Sequence, residues 1–356
     1  MLTPYLAIDL DNLEQNIATM ATAAQQLRVR VRPHFKTHKS PLVARKQMAA
    51  GAIGITCATL GEAETAIQNG LTDILISREI TGRDKLKRLA GLAHHADLKV
   101  VVDHPTQVHD LAAALHEQKA AIGVLIEINI GQNRCGLDPD DLKGILDLVR
   151  LIAHAPGLTF RGFQGYEGHL VLMADEAERR TSVQAANARL MQVVQAAAAA
   201  GYPSAIVTGG GTGTALITGS IPGMTEIQPG TYATMDSTYS KIMGQLFQPA
   251  VWVATTVISR PARDRLIVDA GSKAISTDYG PPEIIGHPDW VYQAAGDEYG
   301  LLRQVEGQPI DAGIGEEIRL YPSHGCTTFN LYDLAYGFRQ GRLEIDIPVA
   351  GRGKSY

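Results

Sequence analysis

Short β-branched runs alternate with longer Ala/Leu/Gln-rich stretches along roughly the first two thirds of the chain. Eight runs have the composition of strands, in the order "VRVRPHF", "AIGITCA", "DILIS", "LKVVVD", "GVLIEIN", "FRGFQGYEG", "SAIVTGG" and "EIQPGTYATM". Segments between them, such as "GEAETAIQNG", have helical spacing of their apolar positions. Eight β-α repeats predict an α/β fold of the (β/α)8 TIM-barrel type, whereas a doubly wound sheet more often has fewer strands.

The pattern changes from about Gln248 onward. The runs "VWVATTVISR", "DRLIVDAG", "EEIRLYPSH" and "GRLEIDIPVAG" are β-rich, with turn residues between them and few helical patterns. We therefore predict a barrel over residues 10–245 and a C-terminal all-β domain over 246–356. The first strand, "YLAID", precedes the barrel, and we expect the segment 1–9 to join the β domain.

Composition excludes several classes of protein. Of the 356 residues, 45% are hydrophobic and 19% charged, which allows a large core, and the net charge of −5 argues against nucleic-acid binding. No apolar run reaches the length of about 18 residues that a membrane helix needs, and the N-terminus lacks the pattern of a secretory signal. The three cysteines fit reduced thiols in the cytoplasm better than a disulfide framework.

Residues that could bind a ligand follow several of the predicted strands. In chain order they are Lys36, Arg78, Asn133 and Arg134, Tyr166 and His169, the loop "TGGGTGT" at 208–214, and Tyr232. The carboxyl ends of barrel strands form the active-site face, so we expect these residues to converge there.

The loop "TGGGTGT" is the strongest of these signals. Consecutive glycines let backbone N–H groups approach an anion, and a phosphate often lies at the last two strands of such barrels. No Lys-Ser or Lys-Thr follows, so the loop is not a nucleotide P-loop; a flexible turn is the alternative. A phosphate site opposite Lys36 suggests pyridoxal 5′-phosphate, whose aldehyde forms a Schiff base with a partly desolvated lysine. Taken alone, Lys36 would be a surface lysine.

Five motifs together resemble one family. "RPHFKTHKS", "TGGGTGT", "EIQPGTY", "DAGSKA" and "HGCTTFNLYD" are similar, in this order and over nearly the whole chain, to the D-threonine aldolase and D-serine dehydratase family. The resemblance implies pyridoxal-phosphate enzymes with the fold of alanine racemase. It also implies site residues: Lys36 as the Schiff-base lysine, Gly209, Gly210, Gly211 and Thr212 at the phosphate with Tyr232 nearby, Arg134 at the phenolic oxygen, and Tyr166 and His169 beside the pyridine ring.

The segment "YPSHGCTTFNLYD" suggests a metal site. His324 and Cys326 are two positions apart, so on an extended strand they would share a face, and imidazole with thiolate suits zinc. Alone, such a pair is more often a structural coincidence. The resemblance implies a divalent metal here, with His-x-Cys in dehydratases and His-x-Asp, suited to manganese or magnesium, in aldolases. We expect zinc, with manganese or magnesium as alternatives.

The expected activity is that of a lyase on a small-molecule D-3-hydroxy amino acid. Cys326 favours a dehydratase, which gives a keto acid and ammonia, over a D-threonine aldolase, which gives glycine and an aldehyde. An amino-acid racemase would leave the metal pair unexplained, and a non-catalytic cofactor carrier would usually lack the β domain. In "GDEYG", Tyr299 stands where the family often has histidine, so substrate choice could differ. The related fold further implies a homodimer.

Overall fold

The computed structural model of the chain describes residues 1–356. Its strands are β1 (Tyr5–Asp9), β2 (Arg30–Val31), β3 (Ile55–Cys57), β4 (Asp73–Ile76), β5 (Asp97–Val102), β6 (Ile122–Ile128), β7 (Leu158–Gly165), β8 (Ile206–Gly209), β9 (Glu226–Ile227), β10 (Val251–Ala262), β11 (Arg265–Val268), β12 (Glu283–Ile284), β13 (Trp290–Ala294), β14 (Gly300–Gln304), β15 (Glu317–Tyr321), β16 (Leu334–Arg339) and β17 (Arg342–Pro348). Its α-helices are α1 (Leu10–Leu27), α2 (Pro41–Ala49), α3 (Leu60–Gln68), α4 (Arg83–Leu92), α5 (Pro105–Gln118), α6 (Leu142–His154), α7 (Glu176–Ala199), α8 (Ala215–Gly219), α9 (Ser237–Met243) and α10 (Gly325–Phe329).

The residues group into two compact units. The barrel unit contains residues 20–36, 43–230 and 354–356, and the β unit contains residues 1–19, 37–42 and 231–353. None of the ten helices combines the length and the apolar character needed to cross a bilayer.

The barrel unit is built on one parallel sheet of eight strands in the order β2-β9-β8-β7-β6-β5-β4-β3. A parallel bridge between His34 and Thr56 joins the chain after β2 to β3, so the strand order returns to its start. Each of the eight predicted runs contains or overlaps one of these strands. The predicted parallel eight-stranded arrangement with intervening helices is therefore confirmed.

The strands form because their residues are β-branched and apolar on both faces. All seven residues of β6 are buried, and so are the last five of β5. A parallel sheet covered by helices hides both of its faces, which explains why these runs are continuous rather than alternating. Several helices begin at side-chain caps; for example, Asp141 accepts the Gly144 N–H at 2.9 Å and Asp175 the Glu178 N–H at 2.8 Å.

A charge network lies near the amino ends of the strands. Asp73 and Glu226 are the first residues of β4 and β9. Arg32 donates from Nε to Glu226 at 2.8 Å, and the Lys99 ammonium lies 2.8 Å from Asp73 Oδ1. Burial would raise the pKa of Asp73, but the charges of Arg32 and Lys99 lower it. The two buried cations are thus matched by carboxylates, as buried charges require.

The β unit contains nine strands. The longest strand, β10, pairs antiparallel with β1, β11 and β15, while β1 also pairs parallel with β16. Aromatic side chains pack on this sheet: the Trp252 and Phe338 ring centroids are 5.4 Å apart, and Tyr5 and Phe338 are stacked at 6.5 Å. The strand β15 leads into the turn that precedes α10 and thereby positions the predicted metal ligands.

Candidate active site

Lys36 lies in the turn after β2. Within residues 31–40 it is the only residue that is not fully buried. Phe35 is completely buried beside it, and the His34–Thr56 bridge fixes the chain two residues earlier. The Lys36 amine has no hydrogen bond or ion pair within the chain. The lysine is therefore held at its base with its amine available to an electrophile.

The glycine loop begins where β8 ends, at Gly209. Gly210 has φ +77°, a left-handed conformation that side chains rarely adopt. A Cβ on Gly209 would lie 2.1 Å from the Gly165 carbonyl oxygen, and one on Gly213 would lie 1.9 Å from that of Val171. The loop therefore packs so closely on the neighbouring backbone that only glycine fits. Its backbone amides are the groups that it can offer an anion.

Three further predicted residues come together at the carboxyl end of the sheet. The Arg134 guanidinium lies 5.7 Å from the centre of the Tyr166 ring. The Tyr166 hydroxyl is 3.2 Å from the position that a Cβ on Gly211 would take. The ring of His169 packs on Gly131, where an added Cβ would lie 2.7 Å from Cε1. The Tyr166 phenol thus lies beside the glycine loop, Arg134 lies against the Tyr166 ring, and His169 packs on the neighbouring turn at Gly131.

Two other residues singled out in the sequence belong to the β unit. Tyr232 lies in the 3-10 turn Thr231–Ala233, is 2% exposed, and packs at 5.8 Å between ring centroids on Phe247. Tyr299 lies in the turn before β14 with its side chain exposed.

Sequence reasoning missed a buried acidic group in the barrel unit. Glu127 on β6 is 4% exposed and accepts a hydrogen bond from Gln164 Nε2 at 3.0 Å. Burial, and then the negative charge of Glu79, raise the pKa of Glu127 to about 8, although Arg134 acts in the opposite direction. An acid inside the apolar run "GVLIEIN" was a visible signal, because an unpaired carboxylate is costly in such a strand.

His324 and Cys326 lie at the start of α10, not on an extended strand. The prediction that they share a strand face is therefore wrong. His324 is the N-cap residue of α10, and Cys326 is in its first turn. The Thr328 hydroxyl donates to the His324 carbonyl at 2.9 Å, and a carboxylate oxygen of Asp236 accepts the Gly325 N–H at 3.0 Å. These two bonds turn the chain into a helix at a sequence with strand-like threonines.

The two side chains still meet. A hydrogen bond links His324 to Cys326, and the Cys326 thiol donates to Thr37 Oγ1 at 3.5 Å. Asp278 Oδ2 is 2.7 Å from His324 Nδ1, and the Tyr279 ring is stacked on the imidazole at 4.0 Å with an interplanar angle of 5°. Burial alone would lower the pKa of His324, but Cys326 and Asp278 raise it to about 9.

The arrangement fits a divalent metal. In metal sites a carboxylate commonly holds one histidine nitrogen and leaves the other as the ligand, and Asp278 is placed to do this for His324. Imidazole together with thiolate is the donor set that zinc prefers. Because a ligating histidine must be neutral, metal binding here would release a proton.

Asp236 and Asp278 could not be identified from the sequence as members of this site. Asp278 is 46 residues from its partner His324, and Asp236 is 89 residues from Gly325. Asp236 is fully buried and also caps α9 by accepting the Tyr239 N–H at 2.9 Å. Burial raises the pKa of Asp236 to about 6, although the two amide bonds act against this.

Comparison with known proteins gives two family matches. Residues 8–238 match the alanine racemase N-terminal domain, and residues 250–338 match the serine dehydratase domain. D-threonine aldolase from an Arthrobacter species is 37% identical over 99% of this chain and 93% of its own length. The crystal structure of D-threonine aldolase from Filomicrobium marinum has a TM-score of 0.95 at 38% identity, covering 100% of this chain and 97% of that one.

A dehydratase is also similar. The structure of D-threo-3-hydroxyaspartate dehydratase from a Delftia species has a TM-score of 0.90 at 30% identity, covering 98% of this chain and 97% of that one. Variants of a dehydratase of this name carry histidine-to-alanine and cysteine-to-alanine changes two positions apart, and the cysteine variant is in a metal-free form. The extent of these matches identifies this chain as a member of the family of D-threonine aldolases and D-serine dehydratases, with the fold of alanine racemase.

Proposed function

We propose that the chain is a lyase that uses pyridoxal 5′-phosphate and a divalent metal, and that it removes water from a D-3-hydroxy amino acid to give a keto acid and ammonia. Zinc is the metal that we favour, with manganese or magnesium as alternatives. The family supports the lyase chemistry on small D-amino acids. The choice of dehydration rests on one observation, the Cys326 thiol hydrogen-bonded to His324.

The barrel unit supplies residues suited to the cofactor. Lys36 has an unengaged amine, and the loop Gly209–Thr212 offers backbone amides to a phosphate. Arg134 offers a cation to the phenolic oxygen, while Tyr166 and His169 are suited to contact the ring. When bound, the cofactor supplies an electron sink for the bond broken at Cα.

The proton and hydroxyl chemistry then falls to named side chains. The Lys36 amine takes the proton from Cα of the substrate at Nζ. Asp278 holds His324 at Nδ1, and the stacked Tyr279 ring fixes the plane of the imidazole. His324 and Cys326 would hold the metal, which supplies Lewis-acid polarisation of the β-hydroxyl as it leaves.

The decisive experiment incubates the cofactor- and metal-loaded enzyme with D-serine, D-threonine and D-threo-3-hydroxyaspartate. Keto acid and ammonia are measured against glycine and aldehyde, and the L-enantiomers serve as matched controls. Dehydration predicts keto acid and ammonia in equal amounts without glycine. Equal turnover of the L-enantiomers, or products of neither kind, would refute the proposal.

D-threonine aldolase activity is the second candidate. It is favoured by 37% identity to the Arthrobacter aldolase and by the TM-score of 0.95 to the Filomicrobium aldolase. The same residues would then help to remove the proton of the β-hydroxyl. The Cα–Cβ bond would break in place of the Cβ–O bond. Glycine as the main product from D-threonine would select this activity over dehydration.

A further inference from the structure

Glu167 is a completely buried glutamate next to the glycine loop. It lies between β7 and the 3-10 turn Gly168–Leu170, and its exposure is 0%. A Cβ on Gly209 would lie 3.7 Å from Glu167 Oε2, so the carboxyl group faces the start of the loop. Oε2 is buried and has no donor in hydrogen-bonding position. The roles proposed above for Lys36, for Tyr166 and His169, and for the metal pair do not involve this residue.

The carboxyl group of Glu167 is connected to the loop by polar contacts. The Thr218 hydroxyl donates to Oε1 at 2.5 Å. The Thr214 hydroxyl and the Gly210 backbone lie near enough to the carboxyl group to oppose the rise of its pKa. Thr214 in turn accepts the Gly211 N–H at 3.1 Å. Thr218 also packs on the loop, because a Cβ on Gly210 would lie 3.3 Å from Thr218 Cβ. Glu167 is thus linked to the loop through Thr218, and Thr214 lies between the carboxyl group and Gly211.

The surroundings favour the uncharged form of this acid. Its partners are hydroxyl and amide groups, without a cation among them. Burial raises the pKa of Glu167, although Thr218, Thr214 and the amides partly oppose this. An ionised carboxylate behind the loop would also repel a bound phosphate strongly in a medium of low dielectric constant. A protonated carboxyl group can still hydrogen-bond to its neighbours, and it does not repel the phosphate.

We propose that Glu167 is a positioning residue for the cofactor phosphate: through Thr218 and the neighbouring Thr214 it holds the glycine loop so that the loop amides are pre-arranged for an anion. This inference rests on the proposed use of pyridoxal phosphate. It predicts that loss of Glu167 weakens the part of cofactor affinity that depends on the phosphate. The covalent link at Lys36 should be unaffected.

The test compares pyridoxal 5′-phosphate with pyridoxal, which lacks the phosphate but forms the same link to a lysine. Each is titrated by visible absorbance into the full-length protein after removal of resident cofactor, and the ratio of the two dissociation constants gives the phosphate preference. The variants are Glu167→Ala, Glu167→Gln and Thr218→Val. Glu62→Ala is the matched control, because Glu62 is 1% exposed and contacts backbone, accepting the Ala58 N–H at 2.7 Å elsewhere in the barrel unit.

We expect Glu167→Ala to reduce the phosphate preference by about tenfold or more, and Thr218→Val by severalfold, as loss of one or more buried hydrogen bonds predicts. Glu167→Gln mimics the neutral acid and should stay within about threefold of wild type, while Glu62→Ala should leave the preference unchanged. If Glu167→Ala fails to fold, Glu167→Gln and Thr218→Val still decide.

Three results would overturn the inference. The first is a wild-type phosphate preference in Glu167→Ala or, where that variant does not fold, in Thr218→Val. The second is a loss of phosphate preference in Glu167→Gln as large as that in Glu167→Ala. The third is a gain of about tenfold in the phosphate preference of Glu167→Gln, which would mean that the native carboxyl group is ionised. A wild-type protein without any preference for the phosphorylated aldehyde would instead refute the proposed phosphate loop itself. The two failures are therefore distinguishable.

Discussion

Asp236 offers a test of how the proposed metal ligands His324 and Cys326 are held in place. One of its oxygens accepts the Tyr239 N–H at 2.9 Å and caps α9, and the other accepts the Gly325 N–H at 3.0 Å between the two proposed ligands. Asparagine is as good a helix cap as aspartate but has only one acceptor oxygen. Asp236→Asn should therefore keep the cap and lose the bond to Gly325.

Two energies of similar size oppose each other in this variant. A buried amide left without its acceptor costs ~1–3 kcal/mol. Burial raises the pKa of Asp236 from 3.8 to about 6, which corresponds to ~3 kcal/mol of penalty on the ionised form at neutral pH that asparagine would not have. The free energy of unfolding should therefore change little. Metal affinity should fall ~10–100-fold, as it does when outer contacts of a metal ligand are removed.

The assay is urea unfolding of the full-length protein at pH 7, together with calorimetric titration of Zn²⁺ and Mn²⁺ into chelator-treated samples. Asp175→Asn is the control, because Asp175 also caps a helix and loses the same charge, but belongs to the barrel unit. It should leave metal affinity unchanged. Wild-type metal affinity in Asp236→Asn, or an affinity loss explained entirely by global unfolding, would refute the reasoning.

Four further predictions follow from the site. Lys36→Ala should abolish the visible absorbance of lysine-linked cofactor and its fixation by borohydride; retention of both together with full turnover would contradict the assignment. Gly211→Val should weaken cofactor affinity while the far-UV spectrum stays native, because its Cβ would lie 3.1 Å from Val171; unchanged affinity would move the phosphate site elsewhere. Cys326→Asp should weaken activation by zinc and strengthen activation by manganese or magnesium, since it exchanges a soft ligand for a hard one; full activity of metal-stripped wild type, checked by elemental analysis, would exclude a catalytic metal. The pKa of Glu127 is raised from 4.5 to about 8, so the folded state binds this proton more tightly than the unfolded state. The free energy of unfolding should therefore fall as pH rises from 4.5 to about 8, and Glu127→Gln should reduce this fall. Equal slopes of unfolding free energy against pH in the two proteins would contradict the argument.

The local pattern of apolar residues was sufficient to predict where the strands of the barrel unit lie. A run such as "LKVVVD" can bury both faces only in a parallel sheet covered by helices, and β5 does so. The loop "TGGGTGT" was likewise recognisable, because glycine is needed where backbone packs on backbone, as at Gly209, or where φ is positive, as at Gly210. These features depend on residues close together in the chain.

The proposed metal site was only partly predictable from the sequence, because its conformation depends on residues far apart in the chain. His324 and Cys326 are only two positions apart, but the Gly325 N–H between them is held by the Asp236 carboxylate, 89 residues earlier in the chain. Threonines after Cys326 favour a strand by propensity, and this long-range bond overrides them. Asp278 shows the same limit, since nothing in "STDYG" indicates that its carboxylate will hold an imidazole.

The barrel unit treats its buried charges differently at its two ends. Near the amino ends of the strands, the charges of Arg32 and Lys99 are compensated by the carboxylates of Glu226 and Asp73. This network therefore needs no ligand and can act in stability only. Near the carboxyl ends, Glu127 and Glu167 are buried acids whose pKa values are raised, so burial disfavours the charged form of both. Where Glu127 is protonated it does not compensate the charge of Arg134, and a Glu167 shifted toward its uncharged form competes less with an anion at the glycine loop. At the end of the sheet that is predicted to bind an anionic cofactor, burial thus disfavours the negative charge of these two acids, whereas at the opposite end the carboxylates are held in their charged form by Arg32 and Lys99.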